Sequence, residues 1–241
     1  MGPGRAVNGD EGPDSCTQPE GGQGARAATA GSRPVAIWIL APPGQGADHR
    51  HVPPPAWVPF ALLLVCTCGE LRTWRDYRRR AAPSAQDAGS FQLNNLLGWV
   101  GLLLGLGSAV LLHHVASLAL PAWLAWAGIP LSLAGTALRA WAVATLGRWF
   151  SLTIQVTPGQ PVIDRGPYRV LRHPSYAGGE LALLGVGIST GNWLSALLLV
   201  VPWLAAHAYR IHVEECVLLA TLGAPYRAYQ ARTWRLVPFV W

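Results

Sequence analysis

Long apolar runs alternate with short polar connections from residue 56 almost to the C-terminus. The runs are AWVPFALLLVCTCGELRTW (56–74), LNNLLGWVGLLLGLGSAVLL (93–112), PAWLAWAGIPLSLAGTALRAWAVATLG (121–147), SYAGGELALLGVGIST (175–190) and NWLSALLLVVPWLAAHAY (192–209). Each approaches the ~20 residues that carry a helix across the hydrocarbon core. The pattern predicts an all-α, multi-span integral membrane bundle of about five spans, the last two joined tightly at Gly191. YRIHVEECVLLATLG (209–223) prolongs the fifth helix to Gly223, a suitable C-terminal cap. APYRAYQARTW (224–234) reads as a short amphipathic helix lying in the interface.

The polar connections differ in charge. The first holds Arg72, Arg75, Arg78, Arg79 and Arg80, and the third holds Arg148, Arg165, Arg169 and Arg172. The C-terminal tail holds Arg210, Arg227, Arg232 and Arg235, whereas the second and fourth connections hold no arginine. Positive charge marks the cytoplasmic side, so this alternation predicts an external N-terminus. It puts residues 165–176 and 210–235 together at the cytoplasmic face.

Three segments follow from the pattern. Residues 1–55, rich in Gly, Pro, Ala and Ser, read as a disordered tail, because PVAIWILAPP (34–43) is too short to span. Residues 56–147 carry three spans, and residues 148–241 carry two spans and the C-terminal helix.

Composition supports a membrane protein. Charged residues make up 12% of the 241-residue chain, about half the usual share in a soluble domain. All 18 basic residues are arginine, yet they form no patch with interleaved aromatics, so nucleic acid is not the expected partner. The four cysteines (Cys16, Cys66, Cys68 and Cys216) form no CxxC and, with the histidines, no zinc spacing. His207 and His212, five apart, do not share a helical face, which leaves no metal site expected.

Chemistry concentrates in RGPYRVLRHPSYAGGELALLG (165–185). Pro174 suits the first turn of a helix, whose free amides and dipole would face the cytoplasm and suit an anion. His173 lies just before it. Arg210 and Glu214 stand four apart on the fifth helix and share a face, which reads as an ion pair or as part of a site. Glu215 belongs to the same side. Glu180 lies inside the fourth span, where a carboxylate is costly and is either a paired structural acid or a functional one.

The elements LGRWFSLTIQV, VIDRGPYRVLRHPSYAGG, RIHVEECVLLATLGAPYRAYQART and the closing LVPF occur in this order from about Leu146 to the end. Together they resemble the isoprenylcysteine carboxyl methyltransferase family, whose wider group includes phospholipid methyltransferases. The resemblance implies a membrane-embedded methyltransferase that uses S-adenosylmethionine without a Rossmann domain. It implies cofactor contacts at Gln155, at Gln160, Pro161, Val162 and Ile163 (the last four through backbone groups), and at Tyr168, His173, Pro174, Ser175, Tyr176 and Glu214. Arg210 would face the substrate carboxylate, making Arg210, Glu214 and His173 the catalytic candidates. The acceptor would be a lipid or isoprenoid taken from the bilayer, and no metal is implied.

A carboxylate acceptor is already ionised at neutral pH, so its O-methylation needs alignment and dryness and no general base. Other readings stay open. A phospholipid or lipid-amine N-methyltransferase would want a neutral amine, against which a substrate-facing arginine argues. Sterol-type NADPH-dependent membrane reductases share an RHP-x-Y element but are usually longer. A non-catalytic protein keeping the fold is the third class.

Overall fold

The computed structural model describes residues 52–78, 87–156 and 159–240, with side chains in the first helix described as far as Cys68. The expected tail 1–55 therefore lies almost wholly outside the described residues, as do Cys16 and the arginine side chains of the first connection.

Among the described residues, six α-helices form: α1 (Val58–Arg78), α2 (Ser90–Leu111), α3 (Ala122–Leu146), α4 (Pro174–Ser189), α5 (Trp193–Leu222) and α6 (Ala224–Gln230). Among the described residues, β-structure is confined to two isolated bridges, Ala119 with Asn192 and Leu171 with Trp234. The chain is an all-helical integral membrane protein. Among the described residues, three stretches are long and apolar enough to cross a bilayer: Ser90–Leu111, Ala122–Trp149 and Trp193–Leu222. The other two expected spans form helices too, but α4 has 16 residues and the apolar part of α1 is only Val58–Cys68.

Helix ends follow local chemistry. Asn192 Oδ1 accepts from the amides of Leu194 at 3.0 Å and Ser195 at 3.2 Å, opening α5. Gly223, at φ +62°, closes it in a conformation costly for a residue with a side chain. At about 1.5 Å per residue, the 30 residues of α5 run to about 45 Å, well beyond a ~30 Å hydrocarbon core. Its C-terminal third, 213–222, therefore emerges from the bilayer and carries Glu214 and Glu215, with Arg210 one turn before it.

Without a hydrophobic drive between helices in lipid, close backbone approach holds the bundle. On α3, Gly128 lies against Gly185 and Ser189, and Gly135 against Gly178 and Ala182 of α4. On α2, Gly98 lies under the Trp203 ring, and Gly101 and Gly105 lie against the Leu198–Leu199 backbone of α5. A Cβ at Gly135 or Gly185 would enter the backbone of the facing helix. The α2–α5 pair is antiparallel: Ser108 Oγ meets Ser195 Oγ at 2.9 Å at one end, and Ser90 meets Arg210 at the other. Val58 and Leu62 of α1 join Leu183, Val186 and Leu199 in the apolar core. Trp57, Leu64, Trp99, Leu103, Trp123 and Val201 remain exposed and face the surroundings, as lipid contact requires.

Candidate active site

Two distant stretches close around one cleft. The loop before α4 runs through a 3₁₀ turn, Gly166–Arg169, with Tyr168 buried. It is clamped by the C-terminal segment. Arg172 N donates to Trp234 O at 2.7 Å, Trp234 N to Val170 O at 3.0 Å, and His173 N to Arg235 O at 3.1 Å. Tyr229 of α6 adds a hydroxyl bond to Tyr168 O at 2.8 Å.

Adjacent acids on a helix diverge by about 100°, and here they serve different partners. Glu215 is buried and faces the clamp. It accepts from Arg172 Nε at 2.7 Å and Arg235 Nε at 2.9 Å, and its Oε1 lies 3.4 Å from His173 Nε2. Arg172 Nη1 donates on to Gln230 O at 3.0 Å and to Thr233 O. Such full pairing is what makes a buried carboxylate tolerable.

Glu214 turns to the cleft. Its Oε2 accepts from Tyr176 Oη at 2.8 Å and lies 3.8 Å from His173 Nδ1. The Tyr176 hydroxyl in turn accepts from Arg210 Nε at 2.8 Å. The expected direct pair of Arg210 and Glu214 is thus a bridged one, with a phenol between them.

Arg210 is only 4% exposed. Its Nη1 donates to Ser90 Oγ at 3.1 Å and lies 3.4 Å from Asp87 Oδ1, and its Nη2 donates to Leu152 O. Asp87 is buried as well and binds three further donors: Ile154 N at 2.9 Å, Ser90 Oγ at 3.0 Å and Phe91 N at 2.8 Å. One aspartate therefore joins the start of α2, the loop after α3 and the site arginine. Sequence reasoning missed it. Its signal was an acid just ahead of an apolar helix, where it can cap the first turn.

The cleft encloses about 880 Å³, its open mouth included. Of the residues singled out in the sequence, Gln155, Gln160, Pro161, Val162, Ile163, Tyr168, His173, Ser175, Tyr176, Arg210 and Glu214 all line it. Pro174 does not; it is fully buried as the first residue of α4. Gln155 Nε2 bonds Ser151 Oγ at 2.9 Å and Thr153 Oγ1 at 3.2 Å. Tyr226 and Tyr229 complete the wall. They turn α6 inward, so this helix packs on the protein and does not simply float in the interface.

Burial, together with nearby Glu214, pushes the Tyr168 phenol above its usual range. Burial raises Tyr226 likewise, helped by Glu215 and Glu214, and raises Tyr229. These phenols are neutral hydrogen-bonding walls.

The residues suit a cationic, nucleoside-bearing ligand such as S-adenosylmethionine. No donor among the described residues reaches Glu214 Oε1, which leaves a carboxylate oxygen for an ammonium or a hydroxyl. The aromatic side chains of Trp149, Phe150 and Tyr226 in the lining suit a flat base or a positive charge. Among the described residues, no group of three His, Cys, Asp or Glu side chains comes together to hold a metal.

Comparison with known proteins locates the same region. Residues 128–220 match the model of the isoprenylcysteine carboxyl methyltransferase (ICMT) family. Protein-S-isoprenylcysteine O-methyltransferase B of Arabidopsis thaliana is 32% identical over 120 residues, 49% of this chain and 61% of that one. A probable protein-S-isoprenylcysteine O-methyltransferase of Oryza sativa subsp. japonica is 27% identical over 145 residues, 57% of this chain and 76% of that one. A solved eukaryotic intramembrane Ras methyltransferase, ICMT, aligns with a TM-score of 0.48 at 24% identity, over 61% of this chain and 52% of that one. The chain thus spans about three fifths of the length of the Arabidopsis relative. From residue 128 to residue 220, this chain is similar to the isoprenylcysteine carboxyl methyltransferase family.

Proposed function

We propose that this chain is an integral membrane, S-adenosylmethionine-dependent methyltransferase that esterifies a carboxylate on an isoprenoid or lipid acceptor. The observation that carries the reading is the Arg210–Tyr176–Glu214 relay in one cleft. It sets a buried cation beside a carboxylate oxygen that no donor among the described residues reaches. The named relatives act on S-isoprenylcysteine, so an S-isoprenylcysteine or a related isoprenoid acid is the acceptor class.

S-adenosylmethionine, when bound, supplies a methyl carbon on a positively charged sulfur. The protein supplies the rest. Glu214 Oε1, His173 and the 160–163 backbone hold the cofactor. Arg210 draws the acceptor carboxylate toward Tyr176. Of the five N–H groups of a guanidinium, four already reach Tyr176, Ser90, Asp87 and Leu152. One remains for the acceptor, so Arg210 orients the acid through its charge and a single bond, and a two-pronged clasp is not available. That arrangement leaves the second carboxylate oxygen free to attack. No base is needed, because the acid is ionised at neutral pH. The apolar helices take the lipid tail and keep water out. The arginine-rich connections set the cleft on the cytoplasmic side, and the catalytic unit is 148–241, with 56–147 as its membrane support.

The test is transfer of labelled methyl from S-adenosylmethionine to an S-isoprenylcysteine in detergent micelles. Label released as methanol by mild base is the expected result. Label that resists base would mean N-methylation and would overturn the ester assignment, and so would turnover that requires NADPH.

A further inference from the structure

At about 1.5 Å per residue, Trp123 and Trp141 of α3 lie about 27 Å apart along the helix, close to the ~30 Å of a hydrocarbon core. Both indoles are exposed, as rings in the two interfacial belts of a bilayer are. Trp193 joins the belt at Trp123, its Nε1 donating to Ser117 O at 3.3 Å. At the other belt the loop before α4 comes in. A Cβ on Gly166 would lie 3.4 Å from Trp141 Nε1 and 3.0 Å from Thr145 Oγ1. That loop therefore sits at the level of a membrane boundary.

The backbone bonds of the clamp pin the C-terminal segment to the same loop. The segment then turns outward. Val240 N donates to Val237 O at 3.2 Å, closing a turn through Pro238 and Phe239. Phe239 stands at φ +65°, at a turn position that ordinarily calls for glycine. The turn leaves Val237, Phe239 and Val240 50%, 86% and 79% exposed. Val170, 45% exposed, joins them. Its carbonyl accepts from Trp234 N at 3.0 Å, and the Trp234 ring lies 4.7 Å from that of Phe239. Together they form an apolar lip on a strained turn, a combination that calls for a partner.

Depth and charge identify that partner. At the level of the Trp141 belt, lipid is the neighbour already in place. Among the described residues from 148 onward, Arg148, Arg165, Arg169, Arg227 and Arg232 are exposed, and Asp164 is the single exposed acid. Asp164 pairs with Arg232 at 2.6 Å, which leaves a positive rim. Arg165 and Arg169 stand in the same loop as Val170. Apolar side chains edged by arginine suit the junction between acyl chains and anionic headgroups. A second copy of this chain would bring the same positive rim and be repelled.

We propose that Val170 and the 237–240 turn insert into the adjoining leaflet, with Arg165 and Arg169 held on the phosphates of anionic lipids. The inference rests on the membrane placement of the helices and is independent of methyl transfer. It also gives the lipid a hold on the cleft, because the same segment supplies the Trp234 and Arg235 carbonyls that receive Arg172 N and His173 N.

The experiment places the full chain in nanodiscs of phosphatidylcholine alone, or with about one third phosphatidylserine to supply anionic headgroups. Trypsin cleavage after Arg235 reads how firmly the lip is held. In the wild type, phosphatidylserine should slow cleavage at least threefold. The double variant Arg165→Gln/Arg169→Gln should lose that difference. Phe239→Ser/Val240→Ser should be cut at least threefold faster than wild type in both discs. A second arm replaces Phe239 by photoreactive p-benzoylphenylalanine, and irradiation should yield lipid adducts by mass spectrometry. Adducts with a second copy, with a co-purified protein or within the chain, in place of lipid, would overturn the lip. So would unchanged cleavage of Phe239→Ser/Val240→Ser. Cleavage indifferent to phosphatidylserine, or a serine-lipid effect that survives Arg165→Gln/Arg169→Gln, would overturn the headgroup contact.

Discussion

Asp87 Oδ1 lies 3.4 Å from Arg210 Nη1, joining residues 123 positions apart in the chain. Both side chains are buried, and both also bond Ser90 Oγ. The aspartate therefore does two things at once. It caps α2 through Phe91 N, and it fixes the guanidinium against the cleft wall at Ile154.

Replacing one member of a buried ion pair strands the other. Asp87→Asn keeps most of the shape but removes the charge, and one amide of α2 or the loop loses its acceptor. Asp87→Ala loses all the contacts and should cost about 3 kcal/mol or more. We expect Asp87→Asn to lower turnover about tenfold or more and Asp87→Ala to lower the melting temperature in detergent as well. Near-wild-type turnover for Asp87→Asn would show that Arg210 needs no anchor.

Tyr176 is the hinge of the relay, since its hydroxyl accepts from Arg210 and donates to Glu214. Tyr176→Phe retains the stack on His207 and removes both bonds. Hydrogen bonds to charged groups are worth about 1.5–3 kcal/mol each. The variant should therefore weaken S-adenosylmethionine binding by about tenfold or more, read by isothermal titration, with little change in fold. Unchanged affinity would detach Glu214 from cofactor binding.

The neighbouring acids should separate cleanly by mutation. Glu215→Gln strands Arg172 and weakens the hold on Arg235 and His173, so the C-terminal segment should become sensitive to limited proteolysis and the melting temperature should fall. Glu214→Gln disturbs only the cleft, so it should reduce cofactor affinity with the melting temperature nearly intact. If both variants behave alike, the division between clamp and site is wrong.

Much of this architecture is legible in the chain. Hydropathy locates all five long helices, Pro174 marks the start of α4, and Gly223 marks the end of α5. The RHPSY run and Glu214 reach one cleft because topology sends both to the same membrane face. Three features are not legible. Residues four apart on a helix invite a direct pair, yet the Tyr176 hydroxyl intervenes between Arg210 and Glu214, and helical spacing is blind to a side chain from another helix. Asp87 looks like any acid in a polar connection until the fold buries it beneath Arg210. Tyr226 and Tyr229 give α6 an amphipathic look that fits a membrane interface as well as a protein one. Only the carbonyls of Tyr168 and Leu171, waiting for the Tyr229 hydroxyl, decide the matter.

The same tyrosines set an alkaline limit. Tyr168, Tyr226 and Tyr229 are buried, and burial raises all three phenols above the ordinary value of about 10. Above that value an unfolded chain releases phenolic protons while the folded one keeps them, so the unfolded state gains. Their contribution is fully present below pH 10 and is lost as pH climbs toward the raised values. Each phenol still protonated in the fold costs about 1.4 kcal/mol of stability per pH unit in that window. Three together should make unfolding steep between about pH 10 and pH 11.5. Phenolate absorbance near 295 nm should then rise in two steps in detergent: exposed tyrosines first, and the buried set only as helical circular dichroism is lost. Tyr229→Phe should remove part of the second step, and it also forfeits the bonds to Tyr168 O and Leu171 O. A single smooth titration that precedes the loss of helix would mean that these phenols ionise in place and that the α6 wall is open to water.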